Sequence, residues 1–236
     1  VSMPRKKVAI LISGRGSNMA ALVEAAADRS FPAEIVAVIS DQPDAQGLAY
    51  AASRGIDAHV IERRFHDGKD AHDAAIDAAL TSCGAEIVAL AGYMRLFTEG
   101  LVRRWEGKMI NIHPALLPSF KGLDTHARAL DAGARIHGCT VHFVTPEMDD
   151  GPIIAQAAVA VKLDDTAETL GARVLKAEHQ LYPLALRLVA EGKARMENGK
   201  TVYSGTDTIL QEGAALHAPS AVRDTVDFEA LARFTP

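Results

Sequence analysis

The first half of the chain alternates between short runs rich in β-branched residues and longer alanine-rich stretches, and this alternation most constrains the fold. The runs lie at 8–12, 35–39, 58–61, 87–90 and 109–112. The stretches at 18–27, 47–53, 69–82 and 98–105 are each long enough for two or more helical turns. A near-continuous apolar run such as Val8-Ala9-Ile10-Leu11-Ile12 predicts a strand buried on both faces, as in a parallel sheet covered by helices. Parallel neighbours joined through helices require right-handed crossovers. The expected fold is therefore α/β and Rossmann-like, a doubly wound, mostly parallel sheet with helices on both faces.

After residue 113 the pattern changes. Pro114, Pro118 and Gly122 punctuate a loop, and a short helix is expected over 126–132. Strands at 138–144 and 153–161 are joined by about eight residues, too few for a parallel crossover, so they are expected to pair antiparallel. A long helix over 166–191 has Thr166 as its N-cap and Gly192 as its C-cap. Asn198-Gly199, flanked by 194–196 and 201–203, signals a C-terminal hairpin. One folded unit is expected over 7–203, followed by a loosely structured tail over 204–236.

Composition narrows the class. With 236 residues, 48% hydrophobic and 23% charged, the chain can bury a sizeable core, which excludes disorder as its main state. Its 25 Lys plus Arg against 30 Asp plus Glu give 25 − 30 = −5, a balance unsuited to nucleic acid. A local basic patch can still hold one small phosphorylated ligand. The two cysteines, Cys83 and Cys139, are too few for a disulfide scaffold or a four-Cys zinc site and are expected to be reduced. The apolar run 8–12 is too short for a signal segment or a membrane span, so a soluble, cytoplasmic protein with no membrane partner is expected.

Three segments could carry chemistry. The first strand runs into Ser13-Gly14-Arg15-Gly16-Ser17-Asn18 and then a helix, a bend whose N–H groups and helix dipole suit an anion. The same residue types also occur at such bends for conformational reasons alone. Met19 stands where a dinucleotide fingerprint needs its third glycine, and no Gly-Lys-Ser/Thr ending follows, so a phosphomonoester fits better than NAD or ATP. At the end of the strand over 109–112, Asn111 and His113 share a face at the carboxyl edge of the sheet. They could meet an oxyanion or merely cap the strand end. The turn Glu147-Met148-Asp149-Asp150-Gly151-Pro152 supplies an acid that would matter if it lay beside the imidazole, although turn chemistry alone also explains it. The nine histidines form no HExxH pattern and the cysteines no CxxC, so no metal is expected.

Ser-Gly-Arg-Gly-Ser-Asn at 13–18, Ala-Gly-Tyr-Met-Arg at 91–95, Asn-Ile-His-Pro-Ala-Leu-Leu-Pro at 111–118 and the Asp149 turn follow one another in an order that closely resembles the phosphoribosylglycinamide (GAR) formyltransferases. These are the folate-dependent formyl-transferring enzymes of purine biosynthesis. The resemblance spans about 7–203, with a phosphate-binding half over about 7–107 and a folate and catalytic half over about 108–203. It implies that Gly14, Arg15, Gly16, Ser17 and Asn18 hold the ribose phosphate of GAR and that Glu178 meets its amine. Lys69, Met94, Arg95, Leu96 and Phe97, with Asn111, would contact the cosubstrate 10-formyltetrahydrofolate. Asn111, His113 and Asp149 match the catalytic triad. Blander readings stay open: Glu178 as a solvated helix residue, Lys69 as a helix N-terminal charge, Met94 and Leu96 as core.

The sequence departs from the family pattern at Arg15, often Asn, at Asp150, where a glycine is expected, and at Asp124, where His or Asn is common. Rival readings are a formyl-folate hydrolase, another formyl-folate transferase such as one acting on methionyl-tRNA, and a non-catalytic phosphate-binding module. The tRNA enzyme is disfavoured by the negative charge and the short tail. A homodimer is left open.

Overall fold

The computed structural model describes residues 4–205. Its centre is a seven-stranded sheet of β1 (Lys6–Ile12), β2 (Ala33–Ser40), β3 (Asp57–Val60), β4 (Ile87–Leu90), β5 (Met109–His113), β6 (Ile136–Phe143) and β7 (Ile153–Ala160). The spatial order is β3-β2-β1-β4-β5-β6-β7, with β1 to β5 parallel and the pairs β5–β6 and β6–β7 antiparallel. The chain builds outward from β1 to β3, then crosses back to lay β4 and β5 on the other side. That reversal opens a crevice at the carboxyl ends of β1 and β4, where doubly wound sheets bind ligands.

The helices are α1 (Ser17–Ala27), α2 (Gln46–Ser53), α3 (Gly68–Ser82), α4 (Glu99–Arg104), α5 (Thr125–Asp131) and α6 (Ala167–Ala190). Side chains alternate across a strand, so the buried stretch Val8–Ile12 of β1 feeds two cores. Val8, Ile10 and Ile12 join Met19 and Leu22 of α1 and Tyr182 and Leu186 of α6. Ala9 and Leu11 face the other way, onto Ile76 and Leu80 of α3 and Leu101 of α4. Helices on both faces are what the unbroken apolar run called for. The run at 58–61 differs. It forms β3, shifted by one residue, and all four of its residues are exposed because it lies at the sheet edge.

Helix α6 does most to position the site. Thr166 caps it by accepting from the Thr169 N–H, as expected. At its other end Glu191 is the cap and Gly192, at φ 68°, is the left-handed residue one position beyond it. Lys193 and Gly192 there donate to the carbonyls of Leu188 and Val189 at 2.8 and 3.0 Å. The buried Tyr182 hydroxyl donates to the Leu90 carbonyl at the end of β4 (2.9 Å). Glu178, one turn earlier on the same face, is thereby directed toward the crevice.

The hairpin β8 (Ala194–Glu197) and β9 (Lys200–Tyr203) turns at Asn198 and Gly199, both at positive φ as its two-residue turn demands. Both cysteines are free, and burial pushes the Cys139 thiol up to about 12. From residue 206 the expected tail lies outside the described residues. Among the described residues no helix is long and apolar enough to cross a membrane.

Candidate active site

The glycine loop lies between β1 and α1. Gly16 takes φ 73°, and a Cβ there would stand 3.0 Å from Gly47 Cα and 3.1 Å from Met19 Cε. Only glycine lets the loop pack this closely on the start of α2, where the Gly47 N–H also donates to the Gly14 carbonyl (3.3 Å). Among the described residues no side chain caps α1, which leaves its first-turn N–H groups and dipole to an anion, with the exposed Arg15 beside them.

Asn18 extends the loop inward. Its Nδ2 donates to Glu178 Oε2 (2.7 Å), while its Oδ1 is buried without a hydrogen-bond partner among the described residues. That orphaned acceptor suits an N–H or O–H donor. Glu178 is buried, not a solvated helix residue. Burial pushes its carboxyl above the ordinary glutamate range, partly offset by the Asn18 hydrogen bond and the charge of His113.

The fold brings Asn111, His113 and Asp149 together. Ile110 and Ile112 pack into the α1–α6 core, which turns Asn111 and His113 to the opposite face. His113 Nε2 lies 2.9 Å from the Phe120 carbonyl, and Nδ1 lies 3.3 Å from Asp149 Oδ2. A carbonyl can only accept, so Nε2 carries a proton, and a second proton on Nδ1 would satisfy the carboxylate. Asp149 is no ordinary turn residue: it sits at φ 51°, and Oδ2 also accepts from the Gly122 N–H (2.9 Å). Phe120 and Asp124 also adopt left-handed backbone, at φ 56° and 55°, so the loops around His113 are held in costly conformations.

Sequence reasoning missed His142. It pairs directly across from Asn111 in the β5–β6 ladder. Its Nδ1 donates to the Phe143 carbonyl (2.8 Å), which leaves Nε2 to accept from Asn111 Nδ2 (3.2 Å). Burial holds its pKa below the usual value and keeps the ring neutral. One Asn111 N–H is thereby fixed and the other left for a ligand oxygen. A histidine within the apolar run 138–144 was the available signal. Among the described residues no group of three or more His, Cys, Asp or Glu is placed to hold a metal ion.

Residues 93–98 form a pinned segment on the other side of the crevice. The Met94 N–H donates to Ser13 Oγ (2.9 Å), Lys69 Nζ to the Phe97 carbonyl (2.8 Å) and the Thr98 N–H to Asp73 Oδ2 (2.6 Å). Tyr93 and Phe97 stack with centroids 5.1 Å apart. Met94 and Leu96 are 68% and 65% exposed, so neither is core. Lys69 fastens this segment and is more than a helix N-terminal charge. Of the departures, exposed Asp150 pairs with Lys121, and exposed Asp124 is the left-handed residue before α5.

Comparison with known proteins identifies the family. The sequence profile described as formyl transferase matches residues 6–186. The phosphoribosylglycinamide formyltransferase of Haemophilus influenzae is 40% identical over 200 residues, covering 85% of this chain and 94% of that protein. The trifunctional purine biosynthetic protein adenosine-3 of Bos taurus is 48% identical over 206 residues, covering 86% of this chain. The chain spans only 20% of that protein's length. The crystal structure of the phosphoribosylglycinamide formyltransferase of Brucella melitensis superimposes with a TM-score of 0.76 at 57% identity, covering 79% of this chain and 96% of that one. A chain with this fold, this strand-end Asn-x-His-Pro and these relatives belongs to the formyl transferase family and is a homologue of the phosphoribosylglycinamide formyltransferases.

Proposed function

We propose that the protein transfers the formyl group of 10-formyltetrahydrofolate to the amine of GAR, giving formyl-GAR and tetrahydrofolate, a step of purine biosynthesis. The observation that carries this reading is the imidazole of His113, held between a carboxylate and a carbonyl beside the Asn111 amide. A glycine loop at an uncapped helix N-terminus opens onto the same crevice. Residues 7–203 are proposed as the catalytic unit, with 7–107 centred on phosphate and 108–203 on folate and catalysis. Each substrate nevertheless draws on both halves, since Glu178 would serve GAR and Met94–Phe97 the folate.

In this mechanism the N–H groups of 16–18 and Arg15 hold the ribose phosphate. Glu178, buried and raised, accepts a proton from the incoming ammonium and so frees the amine to attack the formyl carbon. The formyl oxygen gains a negative charge, met by the free Asn111 N–H and by protonated His113. Asp149 keeps the ring charged and oriented. As the carbon–nitrogen bond to the folate breaks, the proton lost from the attacking amine passes through water to the leaving folate nitrogen, and Glu178 gives its proton up to solvent, so one proton is released per turnover. Lys69 and the backbone of the pinned segment hold the folate against exposed Met94 and Leu96. Free Cys83 and Cys139 fit a reducing, cytoplasmic setting.

The test is product analysis with and without GAR. Formyl-GAR formed in step with tetrahydrofolate, and no formate without GAR, supports the reading. Equal formate release with or without GAR makes the protein a hydrolase.

A further inference from the structure

One buried carboxylate outside the triad joins the two substrate segments. Asp41 follows directly after β2 and is 5% exposed. Its Oδ1 accepts from Ser13 Oγ (2.6 Å), and Oδ2 accepts from Arg95 Nε (2.5 Å) and Gln42 Nε2 (2.9 Å). Ser13 in turn accepts the Met94 N–H through the same hydroxyl, and its own N–H donates to the Gly92 carbonyl (3.2 Å). Ser13 is the residue from which the glycine loop springs. Arg95 stands between the two exposed apolar residues of the pinned segment.

We infer that Asp41 is a positioning residue that holds the folate segment in register with the phosphate loop, setting the distance between donor and acceptor across the crevice. The inference rests on the proposed function for the identity of the two ligands, though not for the link itself. A buried acid usually costs stability unless it is fully satisfied. Here burial pushes the carboxyl up, but the hydrogen bonds from Ser13, Arg95 and Gln42 outweigh it and bring the group below the usual aspartate range. Asp41 is therefore a charged anchor. The Ser13 hydroxyl has one proton, and giving it to Asp41 leaves its oxygen free for the Met94 N–H. Without the carboxylate, that hydroxyl can turn and the Met94 amide loses its fixed acceptor. Arg95, 40% exposed at its side chain, loses the contact that stops it swinging into water. A clamp on segments that bind ligands should affect ligand affinity more than the chemical step.

The experiment uses Asp41→Asn and Asp41→Ala in the full chain, with both KM values, kcat, and hydrogen exchange at the Met94 amide. Asn can still accept from Ser13 but removes the ion pair, so KM for 10-formyltetrahydrofolate should rise about tenfold with GAR KM within about twofold. Ala releases both segments, so both KM values should rise about tenfold, kcat should change by less than about threefold, and Met94 exchange should accelerate. If both folded variants keep parental KM values and parental Met94 exchange, the inference is wrong and Asp41 only stabilises the fold. Parental exchange with a fallen kcat also overturns it. If the parent protein makes no formyl-GAR, the functional reading fails, while the exchange comparison still decides the clamp.

Discussion

The Asp149 carboxylate lies 3.3 Å from Nδ1 of His113, on the side of the ring away from the Phe120 carbonyl. The carbonyl can only accept, so Nε2 carries a proton, and the carboxylate oxygen faces the other ring nitrogen within ion-pair distance. Both acceptors are presented by loop residues at positive φ, Phe120 and Asp149. The backbone is strained where the ring is held, as expected when a loop is shaped for a site and not for its own stability.

Gly16→Val should damage GAR binding selectively. A side chain at φ 73° costs about 1–2 kcal/mol, and here it also meets Gly47 and Met19, so the loop must leave its seat on α2. GAR KM should rise at least about tenfold, with folate KM nearly unchanged. Separate KM values check it. Equal loss in both would indicate a general folding defect.

His142→Ala should lower kcat while sparing both KM values. The variant frees the Asn111 amide to rotate and removes the acceptor of a half-buried donor, a loss of about 1–2 kcal/mol, or roughly fivefold to thirtyfold in rate. The check is a double-mutant cycle. In an Asn111→Ala background the same change at His142 should cost almost nothing more.

The fold itself should weaken in mild acid. His137 is buried, its Nε2 lies 3.2 Å from Nδ1 of His126, and burial together with that neighbouring ring lowers its pKa to about 4. His126, His142 and His179 are lowered as well, each chiefly by burial. A histidine lowered on folding takes up its proton more readily in the unfolded chain. The stability it contributes is therefore complete above the unfolded value near 6.5 and is lost as pH falls from there toward about 4. Within that window the loss from His137 is at most about 1.4 kcal/mol per pH unit. Thermal unfolding of the parent and of His137→Gln between pH 7 and 4 checks this. The variant should show the shallower dependence.

Much of the fold is legible in the sequence because local and global signals agree. The run 8–12 is apolar at every position because β1 lies between two helical layers, and Thr166, Asn198 and Gly199 mark their caps and turn by chemistry that needs no tertiary information. The site is legible as residue types, since Asn111 and His113 alternate with core residues, and as motif order, which suggested Asp149. What remained hidden depends on contacts between distant segments. His142 touches Asn111 only through strand pairing. Asp41 reaches Ser13 and Arg95 only through the order of β2, β1 and β4, and alone in sequence it reads as a strand-end turn residue. β3 looked like the other strands because a run of apolar and polar residues does not say which strand will lie at the edge.

The central claim is that Asp149 acts on the reacting oxyanion through His113, and the most direct measurement is kcat for Asp149→Asn alongside both KM values. Asn keeps the size of the side chain and an acceptor for the Gly122 N–H, and it is well tolerated at positive φ, so the turn should persist. What it removes is the negative charge beside the imidazole. Loss of one preorganised electrostatic partner in the transition state typically costs about 10²–10³ in kcat. Both KM values should stay within a few-fold, because the lost interaction is strongest after the amine has attacked. A folded Asp149→Asn protein with kcat reduced by about 10²–10³ and near-parental KM values is the expected result. One whose kcat stays within a few-fold of the parent would contradict the triad and leave Asp149 as a turn residue.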